Sequence, residues 1–125
     1  MLTRIIDGDT TTYYQGDRLI LTMEEPEKDG RVFMILKGEL TMLVAPQVLD
    51  ELDDFSSAGV PVTMDLKEVT YCSATALNLL VGSQSLIDSF QRGDLILTNV
   101  PDPIYEMMDS HNIADLFYIE EQGDA

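Results

Sequence analysis

DLKEVTYCSATALNLL, residues Asp65–Leu80, joins two kinds of pattern. A strand-like run ends at Tyr71-Cys72, and from Ala76 onward apolar residues recur at helical spacing. Between them stand Ser73-Ala74-Thr75-Ala76, four small residues at the mouth of the helix. Small residues there serve either close approach by another molecule or tight internal packing. Ser73 and Thr75 fall where the first helical N–H groups lack partners, so their oxygens are natural caps. A buried strand feeding a helix is the building unit of an α/β fold, and the rest of the chain can be read outward from it.

Upstream, Val60–Leu66 (VPVTMDL) is short, β-branched and apolar, which predicts a buried strand. Before it, Ala45, Val48, Leu49, Leu52 and Phe55 recur at helical spacing after Pro46, with a stop at Gly59. Leu19–Met23 and Arg31–Leu36 are apolar runs separated by a charged turn with Pro26 and Gly30, which predicts neighbouring strands. Leu40–Leu43 is expected to extend the second of them. Downstream, the helix from Thr75 to Gln91 is expected to bury Ala76, Leu80, Ser83, Ile87 and Phe90, flanked by Leu77, Leu79 and Leu86, and to close at Gly93. Asp94–Val100 (DLILTNV) predicts another buried strand, Asp102 the cap of a helix ending near Asn112, and Leu116–Ile119 a last strand. The expectation is one α/β domain over residues 1–125: a mixed sheet of four or five strands with helices packed mainly on one face.

The chain has 125 residues, enough for one core, and a hydrophobic share of 45%, that of a globular protein. Its formal net charge of −16 argues against direct binding to nucleic acid or to anionic membrane surfaces, which require clustered Lys and Arg. The same charge permits a basic protein partner. No apolar run reaches the roughly 18 residues of a membrane span, and the first residues lack a charged-then-apolar signal pattern. The single cysteine, Cys72, agrees with a reducing compartment, so a cytoplasmic location is expected.

Constellations for chemistry are absent from the sequence. One histidine, His111, and one cysteine offer no metal-ligand spacing, and no base accompanies Ser73 or Cys72. Asp65 is read as closing its strand, where a carboxylate is either a functional acid or an anchor for the following loop; with no second acid, the anchor is favoured. No glycine-rich phosphate loop is present. The expectation is a non-enzyme with no metal and no cofactor.

ILKGEL (Ile35–Leu40), MDLKEVTYCSATALNLL (Met64–Leu80), GDLILTNVP (Gly93–Pro101) and NIADLF (Asn112–Phe117) together resemble the STAS domain, the fold of bacterial anti-sigma factor antagonists. The resemblance covers Arg31 to Glu120. Family members carry a strand of the form LDLSxVxxID, then Ser, then Ser or Thr, Gly and Leu. With Asp65, Val69 and Leu77 holding the frame, the family's Asp-Ser falls on Ser73-Ala74, the next hydroxyl on Thr75 and the glycine on Ala76. The resemblance thus implies a partner-binding and phosphorylation loop at Ser73, Ala74, Thr75 and Ala76, with alanine in place of the phosphorylated serine. It implies a regulatory protein-binding module whose partner is an anti-sigma factor or a serine kinase. The alternative it implies is a scaffold or accessory subunit of a signalling or transporter complex. Asn112 stands where the family has a glycine, and asparagine is the residue that best replaces glycine in a left-handed turn.

Overall fold

The computed structural model describes residues 2–91 and 93–120. Its centre is the strand β5 (Arg31–Leu40), which belongs to an eight-stranded sheet. On one side of it lies an antiparallel meander, β1 (Leu2–Asp7), β2 (Thr10–Gln15) and β3 (Arg18–Glu24), with β3 against β5. Its two hairpin turns are Gly8-Asp9 and Gly16-Asp17, and both glycines have positive φ, as two-residue turns that follow the sheet's twist require. A two-residue strand, β4 (Glu27–Lys28), folds back on the start of β5.

The other side is parallel. β5, β6 (Val62–Cys72), β7 (Leu95–Thr98) and β8 (Tyr118–Glu120) are neighbours in that order, joined through α1 (Ala45–Ser57), α2 (Ala74–Phe90) and α3 (Asp102–Ser110). All three crossovers step the same way along the sheet, and the right-handed rule for such units puts the three helices on one face. Burial along the strands agrees. Val32, Met34, Leu36, Val62, Met64, Leu66, Leu95 and Leu97 are buried, whereas Phe33, Ile35 and Ile96 on the opposite face are only half-buried. Against the covered face α1 sets Val48 and Leu52, α2 sets Leu77, Leu80 and Ile87, and α3 sets Ile104 and Met108. Each fully buried Leu or Ile of this kind stabilises the fold by roughly 1.5–3 kcal/mol.

The mixed sheet with helices on one face stands as expected, but it is larger than the four or five strands anticipated. β1 and β2 account for most of the difference. Other boundaries move as well. β6 does not end near Asp65 but runs on to Cys72; Leu40 closes β5 and Met42–Val44 form a turn; β8 begins at Tyr118 after a short 3-10 turn, Ala114–Leu116. On α2, Leu80 and Ile87 are buried, but Phe90 is 61% exposed, and Leu79 and Leu86 also face outward. The left-handed residue that ends α2 is Gln91, two positions before Gly93, and α3 is capped by Pro101 rather than by the Asp102 side chain. Asn112 adopts the left-handed conformation, with φ of 57°.

β5 carries one severe backbone kink. Gly38 has φ of 121° and faces Leu21 of β3 on one side and Val69 of β6 on the other. The β5–β6 register shifts beside it. β6 stays paired with β5 to Cys72, past the end of its ladder with β7 at Asp65, and so delivers the start of α2 to the end of the long strand pair.

Candidate functional site

Ser73 leaves β6 with extended backbone, φ −76° and ψ 152°, and caps α2. Its Oγ accepts the Ala76 N–H at 3.1 Å, and its carbonyl accepts the Leu77 N–H at the same distance. The Ser73 side chain is therefore turned inward. Ala74 and Thr75, the first two helical residues, face solvent, and Ala76 is buried beneath them. Thr75 is thus the exposed hydroxyl of the four-residue stretch. Replacing Ser73 by alanine leaves the Ala76 N–H unpaired, and the expected loss is about 1 kcal/mol of stability, read from the urea midpoint.

The Ser73 N–H donates to the Leu40 carbonyl at 3.1 Å, and Glu39 and Leu40 pair with Tyr71 and Cys72. The loop after β5 therefore lies beside the start of α2. This brings Met42 and Leu43 of that loop beside Ala74 and Thr75, with Leu79 one turn along the helix; these are exposed large apolar side chains, as is Tyr71, which lies opposite Glu39 near the strand's end. Sequence reasoning missed Met42, Leu43 and Tyr71. The signal that finds them is charge: Leu40–Leu49 and Val69–Ile87 contain no Asp, Glu, Lys or Arg, in a chain of 30 charged residues. The result is a largely apolar shelf, bordered beside Tyr71 by the Arg18–Glu39 ion pair, on a molecule of net charge −16. Apolar patches of this kind on a soluble surface mark protein contacts.

Asp65 is elsewhere. It lies within β6, half-buried on the helix-free face, and eight residues of extended chain, roughly 25 Å, separate it from Ser73. One of its oxygens accepts the Lys67 N–H at 2.9 Å and the Asn99 side-chain amide at 3.2 Å. Asn99 is left-handed, with φ of 54°, so this carboxylate ties the turn after β7 to β6. The structure does not bring Asp65 to the helix start.

Cys72 lies under the shelf, buried, with burial pushing its thiol up to about 11. At that value the thiolate is scarce at neutral pH and the sulfur behaves as a small hydrophobe. Nδ1 of His111 lies 2.8 Å from the Met107 carbonyl at the end of α3. Among the described residues no group of three or more His, Cys, Asp or Glu side chains is placed to hold a metal ion. Two open grooves, of about 920 and 550 Å³, lie between α3 and β8 and on the helix-free face of the sheet, and neither includes Ser73–Ala76. No helix among the described residues is long and apolar enough to cross a membrane.

Comparison with known proteins bears on this geometry. The family described as "Mlab, STAS domain" matches residues 23–118. An anti-sigma-B factor antagonist from Listeria monocytogenes is 24% identical over 102 residues, covering 80% of this chain and 89% of the relative. Among solved structures, an anti-sigma factor antagonist from Mycobacterium paratuberculosis superposes with a TM-score of 0.69 at 15% identity, covering 79% of this chain and 84% of that one. The phosphorylated form of the Bacillus cell fate determinant SpoIIAA gives a TM-score of 0.64 at 12% identity, covering 82% and 92%. At these identities the structural likeness establishes the fold.

Proposed function

We infer the function from the premise that the chain belongs to the STAS domain family. The reading is a regulatory protein-binding module of the anti-sigma factor antagonist kind, which takes its partner on the shelf formed by Met42, Leu43, Tyr71, Ala74, Thr75 and Leu79. The observation that carries it is the coincidence of two things at one place. Two long charge-free segments of a strongly acidic chain, Leu40–Leu49 and Val69–Ile87, meet at the helix start at which, by resemblance, family members meet their partners. The antagonists among its relatives support the same class. The partner is an anti-sigma factor or a serine kinase, and the location is cytoplasmic. Ser73–Ala76 form the contact loop and Asp65 is a structural anchor. Neither catalysis nor a cofactor enters this reading.

Alanine at position 74 changes the regulation. A phosphate at a docking surface adds roughly two negative charges, which weakens the contact through desolvation and like-charge repulsion. Ala74 cannot carry one. Ser73 has its oxygen committed to the Ala76 N–H, which leaves the exposed Thr75 as the acceptor if any switching operates. The same feature supports a second reading, a scaffold or accessory subunit of a signalling or transporter complex, because a surface without the usual acceptor suits a permanent contact. Incubation with a serine kinase that phosphorylates anti-sigma factor antagonists, followed by mass spectrometry, tests the site. The Ala74→Ser variant is expected to gain phosphate at residue 74, and the natural chain to carry it on Thr75 or not at all. Phosphate on a residue outside 73–75, or no gain in Ala74→Ser from a kinase shown to be active, overturns the assignment.

A further inference from the structure

β1 ends the sheet, and among the described residues no strand pairs with its outer edge. Its ladder with β2 runs unbroken from Leu2 opposite Gln15 to Asp7 opposite Thr10, which close on the two-residue turn Gly8-Asp9. The pair that flanks a two-residue turn exchanges both of its backbone hydrogen bonds. By alternation, Thr3, Ile5 and Asp7 turn their N–H and C=O groups toward β2, and Leu2, Arg4 and Ile6 turn theirs outward. This edge of six residues has no proline and no bulge against β2, two of the usual protections of a free strand. Ile5 and Ile6 are 54% and 61% exposed on it, one on each face of the sheet.

We propose that β1 pairs antiparallel with β1 of a second copy of this chain, about a twofold axis at Ile5. In one continuous sheet that axis stands normal to the sheet and keeps every side chain on its own face, so only residues of equal parity oppose each other. An axis at Arg4 would set two arginines directly opposite, and one at Ile6 would set each Ile5 against an Asp7 carboxylate. An axis at Ile5 sets Ile5 against its own counterpart, Arg4 against Ile6 and Thr3 against Asp7. The outward groups of Arg4 and Ile6 then satisfy each other twice over, and the Thr3 hydroxyl meets the Asp7 carboxylate as donor to acceptor. Charge favours a copy of the chain over a basic partner here. Leu2–Asp7 carries one Arg and one Asp, a balanced strip on a molecule of net charge −16. The two helix layers come to lie on the same side of the joined sheet. Both shelves stay open, because β2 and β3 separate β1 from β5, and they face opposite ends of the strands.

Sedimentation velocity on the full chain, over about a hundredfold range of concentration, is expected to show a reversible exchange of monomer and dimer, because a contact along one strand edge is small. Ile5→Lys puts like charges on the axis and is expected to weaken dimerisation by about tenfold or more. The register has its own readout. Ile5 and its counterpart form a pair without hydrogen bonds, whose Cα atoms stand about 4.5 Å apart, within disulfide range. Under mild oxidation Ile5→Cys is therefore expected to cross-link at least about tenfold faster than Ile6→Cys, which is as exposed but faces Arg4. The natural Cys72 stays out of this reaction, being buried with its thiol pushed up to about 11. Dimerisation unchanged in Ile5→Lys, or equal cross-linking of the two cysteine variants, overturns the proposal. So does a chain that is monomeric throughout, which would leave the edge to a strand of another protein.

Discussion

Gly38→Ala is expected to destabilise the protein by about 3 kcal/mol or more, because among the described glycines a Cβ there meets the tightest contact. A Cβ at this position would stand 2.4 Å from the Ile20 carbonyl oxygen and 3.2 Å from the Leu21 Cα, both backbone atoms of β3. Backbone cannot swing aside as a flexible side chain would, so β3 must separate from β5 or β5 must straighten. Straightening moves φ from 121°, a region that only glycine occupies without strain, and also displaces the Gly38 carbonyl, which accepts the Thr70 hydroxyl at 3.2 Å. Either response reaches the shelf, because the kink sets the register that carries β6 to Ser73. Urea unfolding followed by circular dichroism measures the loss, and a change below about 1 kcal/mol would show that β5 has slack there.

Ala74→Asp should weaken partner binding by about a hundredfold, equivalent to about 2.7 kcal/mol, while leaving the fold intact. The two effects separate because position 74 is the first residue of α2 and faces solvent. A carboxylate at the opening of a helix interacts favourably with its positive end, by about 0.3–1 kcal/mol at an exposed site, so stability should hold or rise slightly. At an interface the same carboxylate is stripped of water among apolar side chains with no cation supplied by this chain, and an unpaired buried charge costs several kcal/mol. Paired thermal melts and calorimetric titrations of the two proteins separate the readouts. Equal affinity in both would remove position 74 from the contact.

The parallel half of the fold was legible because its strands are continuous apolar runs and its helices have clear stops. The meander was not. LTRIID leaves Ile5 and Ile6 exposed and TTTYYQ is mostly hydroxylic, so neither shows the alternation that marks a strand with one buried face. The available signal was the pair of Gly-Asp turns at Gly8 and Gly16. On α2, apolar residues lie on nearly every side, so periodicity does not fix the inward stripe: Phe90, read as part of it, faces outward, as do Leu79 and Leu86, read as its flanks. The cap at Ser73 followed from local chemistry alone. The shelf did not, because Met42 and Leu43 join it only through the Leu40 to Ser73 hydrogen bond, a contact between elements separated by α1 and β6. Asp65 was misplaced for a related reason. β6 outruns β7 by staying paired with β5, and sequence alone does not reveal where a strand loses its neighbour.

Which surface the partner covers decides between a shelf at the start of α2 and the helix-free face. Titrating the anti-sigma factor recovered with this protein by pull-down from its host into nitrogen-15-labelled protein, and mapping the amide signals that shift or broaden, measures that surface. The prediction is a contiguous response over Thr41–Val44 and Tyr71–Leu79, with the helix-free face around Phe33, Ile35 and Ile96 unchanged. A response centred on that helix-free face, or none with a partner shown to be folded, would contradict it.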